Sequence, residues 1–99
     1  MNCKEDTVNY AELKSCIEDI AKKYFEYLKD TKQEGSKTYI QKVKSAYSEL
    51  DNLEQQFINN DFFYQNYPNW WKKLYPKTTY YRIKKKSMIS FLEAFGRAS

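Results

Sequence analysis

Histidine is absent from this 99-residue chain. Its absence removes the commonest general acid/base of enzyme catalysis and the usual imidazole ligand of metals. Cysteine occurs twice, at Cys3 and Cys16. Two distant thiols without histidine fall short of a four-donor zinc site, so no metal is expected. Free thiols in a reducing cytoplasm are the favoured reading, with a Cys3–Cys16 disulfide as the alternative. Glycine and proline occur only twice each. So few helix breakers among many helix formers predict an all-α fold with short connections. No apolar run approaches the ~20 residues needed to cross a bilayer, and the N-terminus has no signal-peptide pattern. No nucleophile–base pair and no pair of carboxylates stands out. The chain is therefore expected not to be an enzyme and to use no cofactor.

Aromatic residues, by contrast, are plentiful, with ten Tyr, six Phe and two Trp. Tyr and Trp add buried area while keeping a polar tip, which suits the core of a small domain. The length predicts a single domain spanning residues 1–99. Its charge is strongly sorted. Residues 68–99 hold eight basic residues and one acid, Glu93, whereas residues 1–67 hold nine basic and twelve acidic ones. A net +7 beside a net −3 is the electrostatic footprint expected of nucleic-acid binding.

Apolar periodicity predicts a first helix over 7–29, with Leu13, Ile17, Ile20, Ala21, Tyr24 and Leu28 forming one stripe and Asp6 or Thr7 as N-cap. Glu18 and Lys22 are spaced for an i,i+4 ion pair. The stripe packs either on the chain's own core or in a dimer seam. The segment 30–36 reads as a linker. A second helix is expected over 37–47, with Tyr39, Ile40, Val43 and Tyr47 on one side. Asp51 followed by Glu54 reads as a capping box opening a third helix, with Leu53, Phe57 and Ile58 inward and an end near Tyr64. Asn69 is placed as the cap of a brief helix over 70–74, which Pro76 stops. Lys77 or Thr78 then opens a last helix to Phe95, with Gly96 as its C′ residue. The expected architecture is about five helices, with a helix-turn-helix at the C-terminus.

A short helix, a break and a long basic helix is the layout whose second helix enters the DNA major groove. At about 100° per residue, Tyr80, Ile83, Ser87, Met88, Phe91, Leu92 and Phe95 share one half of the last helix. Thr78, Thr79, Arg82, Lys85 and Lys86 share the other. Arg82 is expected to fork onto guanine, and Thr78 and Thr79 to touch bases or phosphate at the helix start. Lys72, Lys73, Lys77, Lys85 and Lys86 are expected on phosphates. Lys84 points toward the apolar side and is expected to snorkel. Tyr81 either packs under Trp71 or reaches a phosphate. Trp70 and Trp71 are read as core rather than as base-stacking platforms.

Residues 50–95, and above all Thr79-Tyr80-Tyr81-Arg82-Ile83-Lys84-Lys85, are similar to region 4 of bacterial sigma factors. More closely they resemble the sigma-like regulators of the ArpU and RinA type, from low-GC Gram-positive bacteria and their phages. Ser87 stands where that pattern has a small apolar alanine, and residues 1–49 show no sign of the sigma domain that melts promoter DNA. The resemblance implies a phage-related transcriptional regulator. It would contact double-stranded DNA through Thr78, Thr79, Arg82 and Lys85, and also RNA polymerase. The acidic part, 1–49, would serve homodimerisation through its helix or cover a partner, ahead of a sigma-region-4-like unit over 50–96. The alternative is a protein-interaction module, such as an anti-sigma-like or phage-encoded inhibitor, that binds a protein instead of DNA.

Overall fold

The computed structural model describes residues 9–30, 32, 34–65 and 67–97. They form four helices and, among the described residues, no strand. Helix α1 spans Tyr10–Lys29. It starts at Asn9, whose Oδ1 accepts the amide of Ala11 at 2.7 Å; the expected caps, Asp6 and Thr7, lie outside the described residues. Leu13, Ile17, Ile20, Ala21 and Tyr24 are buried as their spacing predicts. Leu28, one turn further, is exposed. The surface ion pair on this helix is Lys14–Glu18 (3.8 Å) rather than Glu18–Lys22.

Asp30 closes α1 and accepts the amide of Lys32, bending the chain. Gly35 then takes φ +83°, a left-handed conformation that costs glycine little, and α2 follows as Ser36–Ser48. Val43 and Ala46 are buried on α2, with Tyr39, Ile40 and Tyr47 half-buried beside them. Helix α3, Asn52–Ile58, opens on the predicted capping box. The Glu54 amide donates to Asp51 Oδ1 (2.8 Å) and the Asp51 amide to Glu54 Oε1 (3.2 Å). The second oxygen of Glu54 accepts from Ser90 Oγ at 2.9 Å, which draws Glu54 into the interior. The inward seats are thus 54, 57 and 58, one helical stripe. Leu53, expected inward, is turned about 100° away from Glu54 and is exposed.

Beyond Ile58 the helix widens into a π turn over Asn59–Phe63, closed by the amide of Tyr64 on the Asn59 carbonyl at 2.8 Å. Such turns are rare, and they shift the side chains that follow relative to an α-helical course. The polar run Asn59-Asn60-Asp61 thus widens the helix without stopping it, and Phe62 is buried from it.

The expected helix over 70–74 is not formed. Trp70, Lys72 and Leu74 each donate to the carbonyl three residues back, giving successive turns. Pro68 and Pro76 leave seven residues between them, too few to offset helix nucleation. The rings of Trp70, Tyr75 and Tyr80 instead surround the fully buried Phe57, with centroids 5.0, 5.5 and 5.7 Å away. Side-chain packing sets the course of this connection.

Helix α4, Lys77–Arg97, packs against all three other helices. Met88 and Phe91 are fully buried and Ala94 nearly so, in one cluster with Ile17, Val43, Ala46 and Ile58. The apolar stripe of α1 therefore lies in the chain's own core. Gly96, expected as the C′ residue, is instead helical. The helix runs on to Arg97, which meets Glu49 at the end of α2 at 2.8 Å.

Candidate nucleic-acid interface

Six cations stand along the 64–76 connection and the leading half of α4. Lys72, Lys73, Lys77, Arg82 and Lys86 are exposed and Lys85 is half-buried. None of the six has a carboxylate partner among the described residues. The other two basic residues after Pro68, Lys84 and Arg97, are both ion-paired. After Pro68, the cations without a carboxylate partner among the described residues thus all lie between Lys72 and Lys86, while Lys22, Lys29, Lys37 and Lys44 are likewise exposed and unpaired elsewhere on the surface.

Thr78, Arg82 and Lys86 follow one another at i,i+4 steps, spanning about 12 Å along the axis. Thr78 is exposed at the open end of α4, and Thr79 is half-buried beside it. The first intrahelical bond runs from the Tyr80 amide to the Pro76 carbonyl (2.9 Å), so the amides of Lys77, Thr78 and Thr79 precede the internal ladder. Unpaired amides at a helix N-terminus attract an anionic oxygen. Arginine extends a planar fork suited to a base edge or a phosphate, and lysine a mobile point charge.

On α4, Thr78, Arg82 and Lys86 therefore share one exposed ridge, with Thr79 and Lys85 partly turned inward. Tyr81 is exposed, with its ring set against that of Trp71. Its ring lies 6.3 Å from that of Trp71 and 5.8 Å from that of Tyr10, leaving the side chain open beside Arg82. Trp71 stacks on Tyr80 at 4.0 Å, and Trp70 donates its indole N–H to Asp61 (2.9 Å). Both tryptophans pack within the fold.

Lys84 is the departure. It does not reach water along its stem but is buried, with Nζ 3.3 Å from Asp61 Oδ2 and donating to the Tyr80 hydroxyl at 3.3 Å. The rings of Phe62 and Tyr80 stand at 5.3 and 5.5 Å from the ammonium, adding cation–π attraction. Asp61 also accepts from the Tyr80 hydroxyl, so one carboxylate on the π turn ties together Trp70, Tyr80 and Lys84. Burial, and then the hydrogen bond and charge of Asp61, raise the Tyr80 hydroxyl far above the ordinary tyrosine range, so it stays a donor. This hub holds the cationic segment on the helical frame. Sequence reasoning did not find Asp61. The one available signal was a lysine on an apolar face, which requires a buried counter-charge somewhere.

The described residues contain no group of three or more potential metal ligands, and no helix is long and apolar enough to cross a membrane. Cys16 is an exposed free thiol, while Cys3 lies outside the described residues. Compared with known proteins, the chain matches no family model, no curated protein and no solved structure.

Proposed function

We propose that this chain binds double-stranded DNA sequence-specifically in transcriptional control, laying the leading half of α4 in the major groove. The observation that carries the reading is the set of six cations without carboxylate partners, Lys72, Lys73, Lys77, Arg82, Lys85 and Lys86. In this reading Arg82, Thr78 and Thr79 face the bases and the five lysines hold phosphates. In this reading the turn-rich connection takes the place that a scaffold helix holds in a helix-turn-helix protein. The similarity of residues 50–95 to sigma-like regulators supports the same placement, with RNA polymerase as a further partner. An electrophoretic shift series over genomic fragments at rising salt tests it. Five phosphate contacts predict an affinity loss of roughly 500-fold between about 50 and 200 mM salt. Absence of any shifted fragment at low salt would remove the reading.

A second reading draws on Tyr67 and Leu74, which are 76% and 61% exposed on the same connection as Lys72 and Lys73. Apolar groups rimmed by lysines suit an acidic protein surface, as an inhibitor of a transcription protein would use. Retention of polymerase by the immobilised chain without any DNA shift would favour this reading over the first.

A further inference from the structure

A pocket of about 280 Å³ opens between α1, α2 and the π turn, in a part of the fold the cationic segment does not line. Its apolar walls come from Val43, Phe63 and the rings of Tyr24 and Tyr47, with Lys44 and Tyr64 also on the lining. No carboxylate lines it. Tyr24 is about nine-tenths buried, and its hydroxyl has no hydrogen-bond partner among the described residues. That oxygen nevertheless keeps accessible surface, since no sealed polar atom is left unsatisfied. Tyr24 is itself on the lining of the pocket. Tyr47 makes one long bond, to the Gln55 carbonyl at 3.4 Å. Burial first, and the nearby Tyr64 second, raise the hydroxyls of both Tyr24 and Tyr47 above the ordinary tyrosine range. They therefore remain protonated donors. Lys44 is exposed and has no carboxylate partner among the described residues.

The lining thus offers phenol donors, the Asn59 side-chain amide and one cation around an apolar floor. Donors that find no acceptor within the protein call for one from outside. The volume admits roughly nine or ten non-hydrogen atoms, at the lower edge of small-molecule sites. We propose that this pocket binds a small apolar carboxylate of the size of an aromatic acid. The ring lies between Val43 and Phe63, and the carboxylate accepts from Tyr24, Tyr64 and Lys44. The pocket shares the π turn with Asp61, so the site adjoins the hub under α4 without depending on the DNA reading.

Titration of the ¹⁵N-labelled protein with benzoate, followed by amide chemical shifts, tests the proposal. A saturable response with a Kd of about 1 mM or tighter is expected, centred on Tyr24, Lys44 and Tyr64. Benzamide, equal in shape but neutral, should bind at least about tenfold more weakly, the worth of a charge-assisted contact. Lys44→Gln, on the exposed rim, should weaken benzoate about fivefold to tenfold, and Tyr24→Phe should do the same while keeping its ring. Should Tyr24→Phe not fold, the benzamide comparison on the unaltered chain still decides. Equal binding of benzoate and benzamide, shifts confined to the Arg82–Lys86 surface, or no saturable response would each overturn the proposal.

Discussion

Lys84 and Lys85 are neighbours in sequence, yet α4 sends them to different environments. Lys84 lies in the interior, held by Asp61 and Tyr80 within a cage of rings. Lys85 is half-exposed, with Arg82 and Lys86 on the outer face, and none of the three meets a carboxylate among the described residues. The inner charge has been taken out of water and satisfied inside the fold. The outer charges keep their hydration and remain available to a ligand. A run of three lysines is therefore two different objects, separated by a 100° rotation and by the presence of Asp61. Inner charge acts on stability, and outer charge acts on what the surface attracts.

The strongest way to break this contrast is to remove Asp61. Asp61→Ala leaves the Lys84 ammonium buried without a counter-charge and takes the acceptor from Trp70 and Tyr80. A destabilisation of about 3–5 kcal/mol is expected in urea unfolding. Lys84→Met combined with Asp61→Leu should recover most of that loss, because an apolar replacement of a buried pair is often neutral or better. No recovery would mean that Asp61 acts through something other than its charge.

Alkaline titration probes the same inner face. The hydroxyl of Tyr80 ionises at higher pH in the folded chain than its ordinary value of 10.0, through burial and then Asp61, with Tyr10 and Tyr81 adding smaller effects. Above pH 10 the unfolded state releases this proton while the folded state retains it. Stability is thus fully present below pH 10 and declines as pH rises beyond it. Tyr80→Phe should flatten the decline seen in the melting temperature between pH 9 and pH 11, values chosen to bracket roughly one unit on each side of the free phenol. An unchanged slope would place Tyr80 in the solvent.

On the outer face the expected effects appear in binding. Arg82→Ala should weaken a preferred DNA site by ~1–3 kcal/mol and relax its specificity, while Lys85→Ala should weaken all sequences about equally. Urea midpoints should scarcely move for either. Equal losses for both variants on every sequence would remove the base-reading role from Arg82. The smallest effect belongs to a helix end remote from both faces. Asp51→Ala should cost about 1 kcal/mol by breaking the capping box, with DNA binding unaffected.

Much of the frame was legible because it rests on local rules. The stripe 13–17–20–21–24 and the box at Asp51 and Glu54 need only helical spacing and hydrogen-bonding geometry. The misread elements all depend on distant partners. The apolar character of Leu53 points it inward, but Ser90 draws the neighbouring Glu54 inside instead. Punctuation by Asn69 and Pro76 predicts a brief helix over 70–74, yet Phe57 collects the rings of this segment and leaves it as turns. Gly96 was read as a stop, and Glu49 meets the Arg97 that follows it. In the candidate site the outward ridge followed from rotation about the axis alone. The hub beneath it did not, because Asp61 and Lys84 are 23 positions apart and no local pattern joins them.

By itself the sequence determined helix content, most of the helix boundaries and the gathering of positive charge after Pro68, since each follows from neighbours within a few residues. Only the tertiary structure decided which of those charges stay accessible. Burial depends on which elements meet across space, and here it withdrew Lys84 into the fold and left Arg82, Lys85 and Lys86 without carboxylate partners among the described residues.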